Sequence, residues 1–357
     1  MQSPSHRQRG AIGNDVGRFE PLDRQQESDG WWEDEPPPLR TQVTDDASRT
    51  VITRNRSPDI PFDRSVNPYR GCEHGCVYCF ARPTHGFLGL SSGLDFETRL
   101  FAKPEAPRLL DAELRRPGYR CRPIAIGTNT DPYQPIERER RIMRGILEVL
   151  AAFHHPVIIT TKAALVTRDT DLLAPMAART LVGVAISVTT LDGDLARRLE
   201  PRAPTPARRL AAIETLAKAG IPTAIMVAPV IPALTDHEME RILAAGQRAG
   251  AMSAGWTLLR LPFETQQLFT DWLDHHRPAR KSHVLGLLED SRGGGLNDSR
   301  FGHRMRGSGP YAELLARRFD VATRKLGLAA RPGRTLRTDL FAPPPRPGDQ
   351  LSLFGGL

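Results

Sequence analysis

Cys72, Cys76 and Cys79 stand on one short run, Cys72-Glu73-His74-Gly75-Cys76-Val77-Tyr78-Cys79, spaced C-x3-C-x2-C. Three thiolates on a tight loop can hold three corners of a [4Fe–4S] cube and leave the fourth iron without a protein ligand. An open iron is a reaction site, so the spacing points to chemistry beyond electron storage. The chain has four cysteines, and the last, Cys121, lies over forty residues further on. A structural zinc site normally takes four protein ligands, usually as two separated pairs, and only His74 or Cys121 offers a fourth here. A disulfide framework needs an even cysteine set spread through a small secreted chain; this chain has 357 residues.

The run Asn67-Pro68-Tyr69-Arg70-Gly71-Cys72 through Cys79 resembles the cluster loop of the radical S-adenosylmethionine (radical SAM) superfamily. Tyr78, just before the last cysteine, fits the aromatic which that superfamily places beside the adenine. Further stretches resemble the branch that contains spore photoproduct lyase: Tyr69 to Arg82, Thr130-Asp131-Pro132-Tyr133-Gln134-Pro135, Leu199 to Pro204, and Ala219 to Pro232. Together they cover roughly residues 60 to 265. The resemblance implies a [4Fe–4S] cluster on Cys72, Cys76 and Cys79, with S-adenosylmethionine chelated to the open iron. It further implies reductive cleavage of the sulfonium to a 5′-deoxyadenosyl radical, which takes hydrogen from a substrate. An external reductant such as flavodoxin or ferredoxin is implied as well.

The elements that must position this loop follow from hydrophobic rhythm. Short apolar runs at Pro123–Gly127, Val157–Thr161, Val182–Val188, Thr223–Ala228 and Trp256–Leu261 are rich in β-branched residues. They show no polar face, as buried parallel strands require. Amphipathic stretches over Glu137–Phe153, Pro206–Ala219 and Asp236–Ala249 alternate with them. Strand–helix alternation predicts right-handed βαβ units. With one strand before Cys72 there are about six, which fits a partial (β/α)6 barrel, the fold the resemblance also implies. A doubly wound open sheet has the same periodicity. The expected organisation is a disordered segment over 1–55, the barrel over 56–265, a helical extension over 266–330 that caps the open side, and a disordered Pro- and Arg-rich tail over 331–357.

Ligands of such sheets gather at the carboxyl ends of strands. Thr130 and Asp131 follow the second strand, where the resemblance implies a turn that receives the amino group of S-adenosylmethionine; an Asx turn leading into Pro132 is the competing reading. Lys162 ends the third strand and Ser187 lies late in the fourth. Both match positions that hold the methionine carboxylate or ribose in this branch; a surface lysine and a satisfied core serine are the alternatives. Glu200 and Arg202 fall where the superfamily often puts polar cofactor contacts, and an exposed Glu–Arg pair competes with that role. The match to spore photoproduct lyase is incomplete. That pattern implies a hydrogen-donating cysteine after the second strand, where Thr128-Asn129-Thr130 stand here. Cys121 precedes the strand, at the opposite end, and one cysteine is too few for a second cluster.

Net charge is +8 and the pI is about 9.7, which favours anionic partners such as DNA. No run of eighteen apolar residues predicts a membrane span, and no charged start with an apolar stretch predicts export. A cytoplasmic location is expected, where free thiols persist. The run Gln350-Leu351-Ser352-Leu353-Phe354 resembles the peptide that docks on the bacterial sliding clamp: an apolar hook on a polar leash. Trp31-Trp32 stands out in an otherwise polar stretch. Two further readings stay open: a metal-stabilised, non-catalytic adaptor at DNA, and a radical enzyme for a small molecule or protein.

Overall fold

Runs of β-branched residues without a polar face cannot lie on a solvated sheet surface, and they form buried parallel strands. The computed structural model describes residues 9–19, 39–329 and 335–346. Its main sheet contains β1 (Arg64–Val66), β2 (Ile124–Ile126), β3 (Val157–Thr161), β4 (Val182–Ser187), β5 (Thr223–Val230) and β6 (Ser253–Leu258). Each pairs in parallel with the next in chain order. The short strand Thr53–Arg54 lies antiparallel on the outer edge of β1. A doubly wound sheet reverses its order at a switch point. This one runs from β1 to β6 without reversal and leaves those two unpaired with each other, so it is the open (β/α)6 barrel. The last strand starts before the expected Trp256 because Ser253–Trp256 align with Ala224–Val227 of β5.

Helices Ala106–Leu114, Ile142–Ala152, Thr170–Ala178, Pro206–Lys218 and Met239–Arg248 return the chain between successive strands. The single helix expected over 137–153 is broken into Glu137–Arg140 and Ile142–Ala152, with Arg141 left-handed between them at φ 51°. The physical reason is Glu137. Its buried carboxylate accepts the Met143 N–H at 3.0 Å and the Tyr69 hydroxyl at 2.5 Å, and pairs with Arg168 at 2.8 Å. It thereby caps the second helix and ties it to the residue that leads into the cysteine loop.

The extension consists of Thr265–His276, Lys281–Ser291 and Gly309–Leu326. Phe269 and Trp272 stack 5.7 Å apart in one apolar cluster with Cys76, Val77 and Tyr78, so the first of these helices covers the cysteine loop. Phe319 packs on Trp256 of β6, and Ala329 bridges to Ser253 on the open edge.

The expectation of disorder before residue 56 does not hold for 9–19 and 39–55. Backbone hydrogen bonds anchor them, and these leave no trace in apolar periodicity. The Gly10 and Ala11 N–H groups each donate to buried Glu97 at 2.9 Å. Gln42–Asp45 pairs with Arg99–Ala102, which also pairs with Tyr69–Arg70 in a three-stranded sheet. Residues 335–346 likewise depart from the expected disordered tail: Leu336 is buried, and the Phe341 ring lies against Tyr119, Phe153 and His155. Trp31, Trp32 and Gln350 to Phe354 fall outside the described residues. Among the described residues no helix is long and apolar enough to cross a membrane.

Candidate active site

The cysteine loop follows β1 at the carboxyl edge of the sheet. Gly71 opens it with φ 76°, and a Cβ there would meet Leu100 Cδ2 at 2.6 Å and the Phe96 carbonyl at 2.9 Å, so only glycine fits. The loop then closes on itself and its surroundings. Cys72 N–H donates to Phe96 O at 2.9 Å, Cys79 N–H to Cys76 O at 3.2 Å and Val77 N–H to Leu199 O at 3.0 Å. Gln134 clamps the entry, accepting the Glu73 N–H at 2.8 Å and donating to Gly71 O at 3.1 Å. Arg82, fully buried, clamps the exit: its guanidinium donates to the carbonyls of Cys76 (2.8 Å), Gly75 (3.2 Å) and Gly93 (2.9 Å) and pairs with Glu97.

Cys72, Cys76 and Cys79 are all free, the first two buried and the third half-buried. Burial pushes all three thiols up. Left alone they stay protonated, and a positively charged inorganic core that deprotonates them is what such a donor set fits. Among the described residues no three Cys, His, Asp or Glu side chains converge as a site for one metal ion does. A cube takes one thiolate at each of three separate corners and does not need that convergence.

Tyr78 links the loop to a buried polar centre. Its hydroxyl donates to Glu200 and lies 3.1 Å from Thr189 Oγ1. Glu200 also accepts Thr189 Oγ1–H at 2.7 Å, pairs with Arg209, and stands 3.4 Å from Lys162 Nζ. Burial alone would raise the Glu200 carboxyl, but Arg209 and Lys162 hold it well below the ordinary carboxylate range. Lys162 Nζ also donates to Ala228 O at 3.1 Å and sits 5.7 Å above the Tyr78 ring. Ser187 is buried at the end of β4, where its carbonyl accepts from Arg209 at 3.1 Å.

Asp131 serves the other flank. Its carboxylate accepts Thr161 Oγ1–H (2.6 Å), Lys162 N–H (2.7 Å) and Tyr133 N–H (2.9 Å), and lies 3.4 Å from His74 Nδ1. Burial opposes its charge, but His74 and these donors hold it below the usual value. Thr130 Oγ1 donates to Tyr69 O at 2.8 Å. Both residues of this turn therefore brace the cysteine loop and the end of β3. Gly127 starts the turn at φ 84°, with Thr160 O only 1.9 Å from any Cβ. Arg202 does not pair with Glu200. It reaches Glu73 inside the loop at 2.9 Å, and its N–H meets His74 O at 3.3 Å. The exposed Glu200–Arg202 pair weighed as an alternative is not formed. Cys121 precedes β2, at the end of the sheet opposite the loop, and burial pushes its thiol up to about 11.

Sequence reasoning missed Arg209, Thr189, Glu73, Gln134, Arg82 and Glu97. Arg209 left one readable sign: it falls on the buried stripe of its helix with Ala212, Ile213 and Leu216, where a charge needs a partner.

The family described as the Radical SAM superfamily matches residues 66–245. An uncharacterized protein of Mycobacterium tuberculosis is 43% identical over 221 residues, covering 61% of this chain. The match spans 65% of that relative's length. An uncharacterized protein of Methanocaldococcus jannaschii is 28% identical over 173 residues, 48% of this chain and 62% of its own. A structure of a spore photoproduct lyase mutant with bound AdoMet and dinucleoside spore photoproduct aligns with TM-score 0.57 at 14% identity, over 81% of this chain and 80% of that one. That likeness is one of fold.

Proposed function

This chain belongs to the radical SAM superfamily, and from that premise we propose that it is an enzyme holding a [4Fe–4S] cluster on Cys72, Cys76 and Cys79. The observation that carries the reading is the set of three free thiols, two buried and one half-buried, on one loop at the carboxyl edge of the barrel. When bound, the cluster and S-adenosylmethionine supply reductive cleavage to a 5′-deoxyadenosyl radical that abstracts hydrogen from a substrate. The chain's own part is positional. Arg82 and Gln134 fix the loop backbone so that the thiols keep their spacing. Tyr78 would pack beside the adenine of the bound cofactor. The turn that Thr130 and Asp131 shape would receive the amino group, and Lys162 and Ser187, at the ends of β3 and β4, would hold the carboxylate or ribose. Glu200 keeps Lys162 and Tyr78 in place. Arg202 steadies the loop through Glu73. The helix Thr265–His276 covers the loop and excludes water.

The charge of +8 supports a nucleic-acid substrate over a small metabolite or a protein. Docking to a sliding clamp through Gln350 to Phe354 and electron supply by a flavodoxin or ferredoxin belong to the same proposal. The test is anaerobic reconstitution with iron and sulfide. The wild type should gain a brown iron–sulfur chromophore and release 5′-deoxyadenosine when reduced with S-adenosylmethionine. The Cys72→Ala, Cys76→Ala, Cys79→Ala triple variant should do neither. A wild type that binds zinc or nothing, and releases none, would instead establish the non-catalytic adaptor.

A further inference from the structure

Large apolar side chains left exposed together mark a contact surface. Phe80, Phe87, Phe263 and Phe301 are 43%, 74%, 62% and 59% exposed. Phe80 directly follows Cys79, Phe87 lies in the short helix Arg82–Leu88 after the loop, and Phe263 stands just past β6. Each meets a guanidinium or another ring. The Arg260 guanidinium carbon is 4.6 Å from the Phe80 ring centre, and that of Arg18 is 4.0 Å from Phe263. Phe19 stacks on Phe87 at 5.5 Å, and Arg304 lies 5.2 Å over Phe301.

Arg260 decides the reading. Arg18 is paired with Glu264 and Arg304 with Asp59. Among the described residues the Arg260 guanidinium makes no hydrogen bond and no ion pair within 4 Å; its close contact is with the Phe80 ring, and the Asp59 carboxylate that acts on it from further off is already paired with Arg304. Arg260 is half-buried at the carboxyl edge of the last strand, two residues past the end of β6. A partly desolvated guanidinium lying on an aromatic ring offers a fork for phosphate beside a face for stacking. Phosphates and bases recur together along a nucleic-acid strand, and unpaired bases expose the faces that rings stack on. We infer that a single-stranded nucleic-acid segment enters at this rim, with a phosphate on Arg260 and bases stacked on Phe80 and Phe263. The inference rests on the reading above for its claim that the bound strand is the substrate.

The test measures binding of a labelled short oligothymidine by fluorescence anisotropy at roughly 50 and 200 mM salt. Wild type should bind, more weakly at the higher salt. Arg260→Gln should bind about ten-fold more weakly and lower the salt slope by about one. Phe80→Ala should lose about ten-fold with its slope unchanged. Arg208→Gln, exposed on the outer helix, should match wild type, and thermal melts confirm that each variant is folded. No binding by wild type, equal binding of a blunt duplex, or Arg260→Gln and Phe80→Ala both matching Arg208→Gln would overturn the inference. Release of 5′-deoxyadenosine without oligonucleotide binding sinks it and leaves the enzymatic reading standing. Binding with the expected losses, by a protein that never cleaves S-adenosylmethionine, supports the surface and sinks the enzymatic reading.

Discussion

Glu200 joins the loop aromatic Tyr78, the strand-end cation Lys162 and the helix cation Arg209 in one buried group. Removing one partner of a buried ion pair leaves the other uncompensated, at a cost of about 3–5 kcal/mol. Glu200→Gln keeps the size but not the charge, so it should destabilise the fold by about 3 kcal/mol in urea melts. The pH dependence carries a sign. The folded carboxyl is held below its ordinary value of 4.5, so its contribution is complete above 4.5 and lost as pH falls below it. The gap between wild type and Glu200→Gln should stay constant from neutrality to that value and narrow below it. A gap that widens in acid would refute the assignment. The cysteine triad was legible as a candidate because all three thiols lie on one stretch of chain, where spacing alone suggests the chemistry. Glu200–Arg209 was not, because the turn between helix Gly193–Leu199 and helix Pro206–Lys218 must fold back to bring the two together. For Arg202 only the position was legible; its partner Glu73 comes from a distant loop.

Strands were the readiest elements to find, since burial on both faces writes an uninterrupted apolar run. What escaped were elements defined by polar contacts: the break at Arg141 imposed by Glu137, and the strand Gln42–Asp45. The seam between helix Ile142–Ala152 and β3 holds another such contact. His155 is buried there, with Nε2 2.8 Å from the Tyr119 hydroxyl and Nδ1 2.9 Å from Pro156 O. Burial lowers its pKa from 6.5 to about 4. The unfolded chain therefore takes up the proton first, and stability should fall as pH drops from 6.5 to about 4, at a slope of up to about 1.4 kcal/mol per pH unit. Urea midpoints measured across that window should fall less steeply for His155→Gln than for wild type. Identical slopes would show that His155 protonates as readily in the fold as outside it.

At the scale of the whole molecule, the polar ends are part of the fold where they are described. Residues 9–19 run from Glu97, beside the cysteine loop, to Phe263 and Glu264 at the extension, and thus tie both walls of the barrel mouth together. Residues 335–346 close the opposite flank. Arg337 N–H donates to Thr180 O at 3.0 Å, Ala342 N–H to Phe153 O at 3.1 Å, and Arg115 to Pro344 O at 2.8 Å. Composition hid this, because Pro, Arg, Thr and Asp fill most of the stretch while Leu336, Leu340 and Phe341 do the packing. Two truncations separate the packed stretch from the peptide beyond it. Ending the chain at residue 334 strips Leu336 and Phe341 from their sites and should cost about 2–4 kcal/mol, read as a lower Tm. Ending it at residue 346 keeps that packing and should leave Tm unchanged while abolishing capture by an immobilised bacterial sliding clamp, since Gln350 to Phe354 is gone. Equal losses of Tm would mean that the stretch beyond 346 is needed for the fold. Clamp capture surviving the shorter cut would assign docking to another surface.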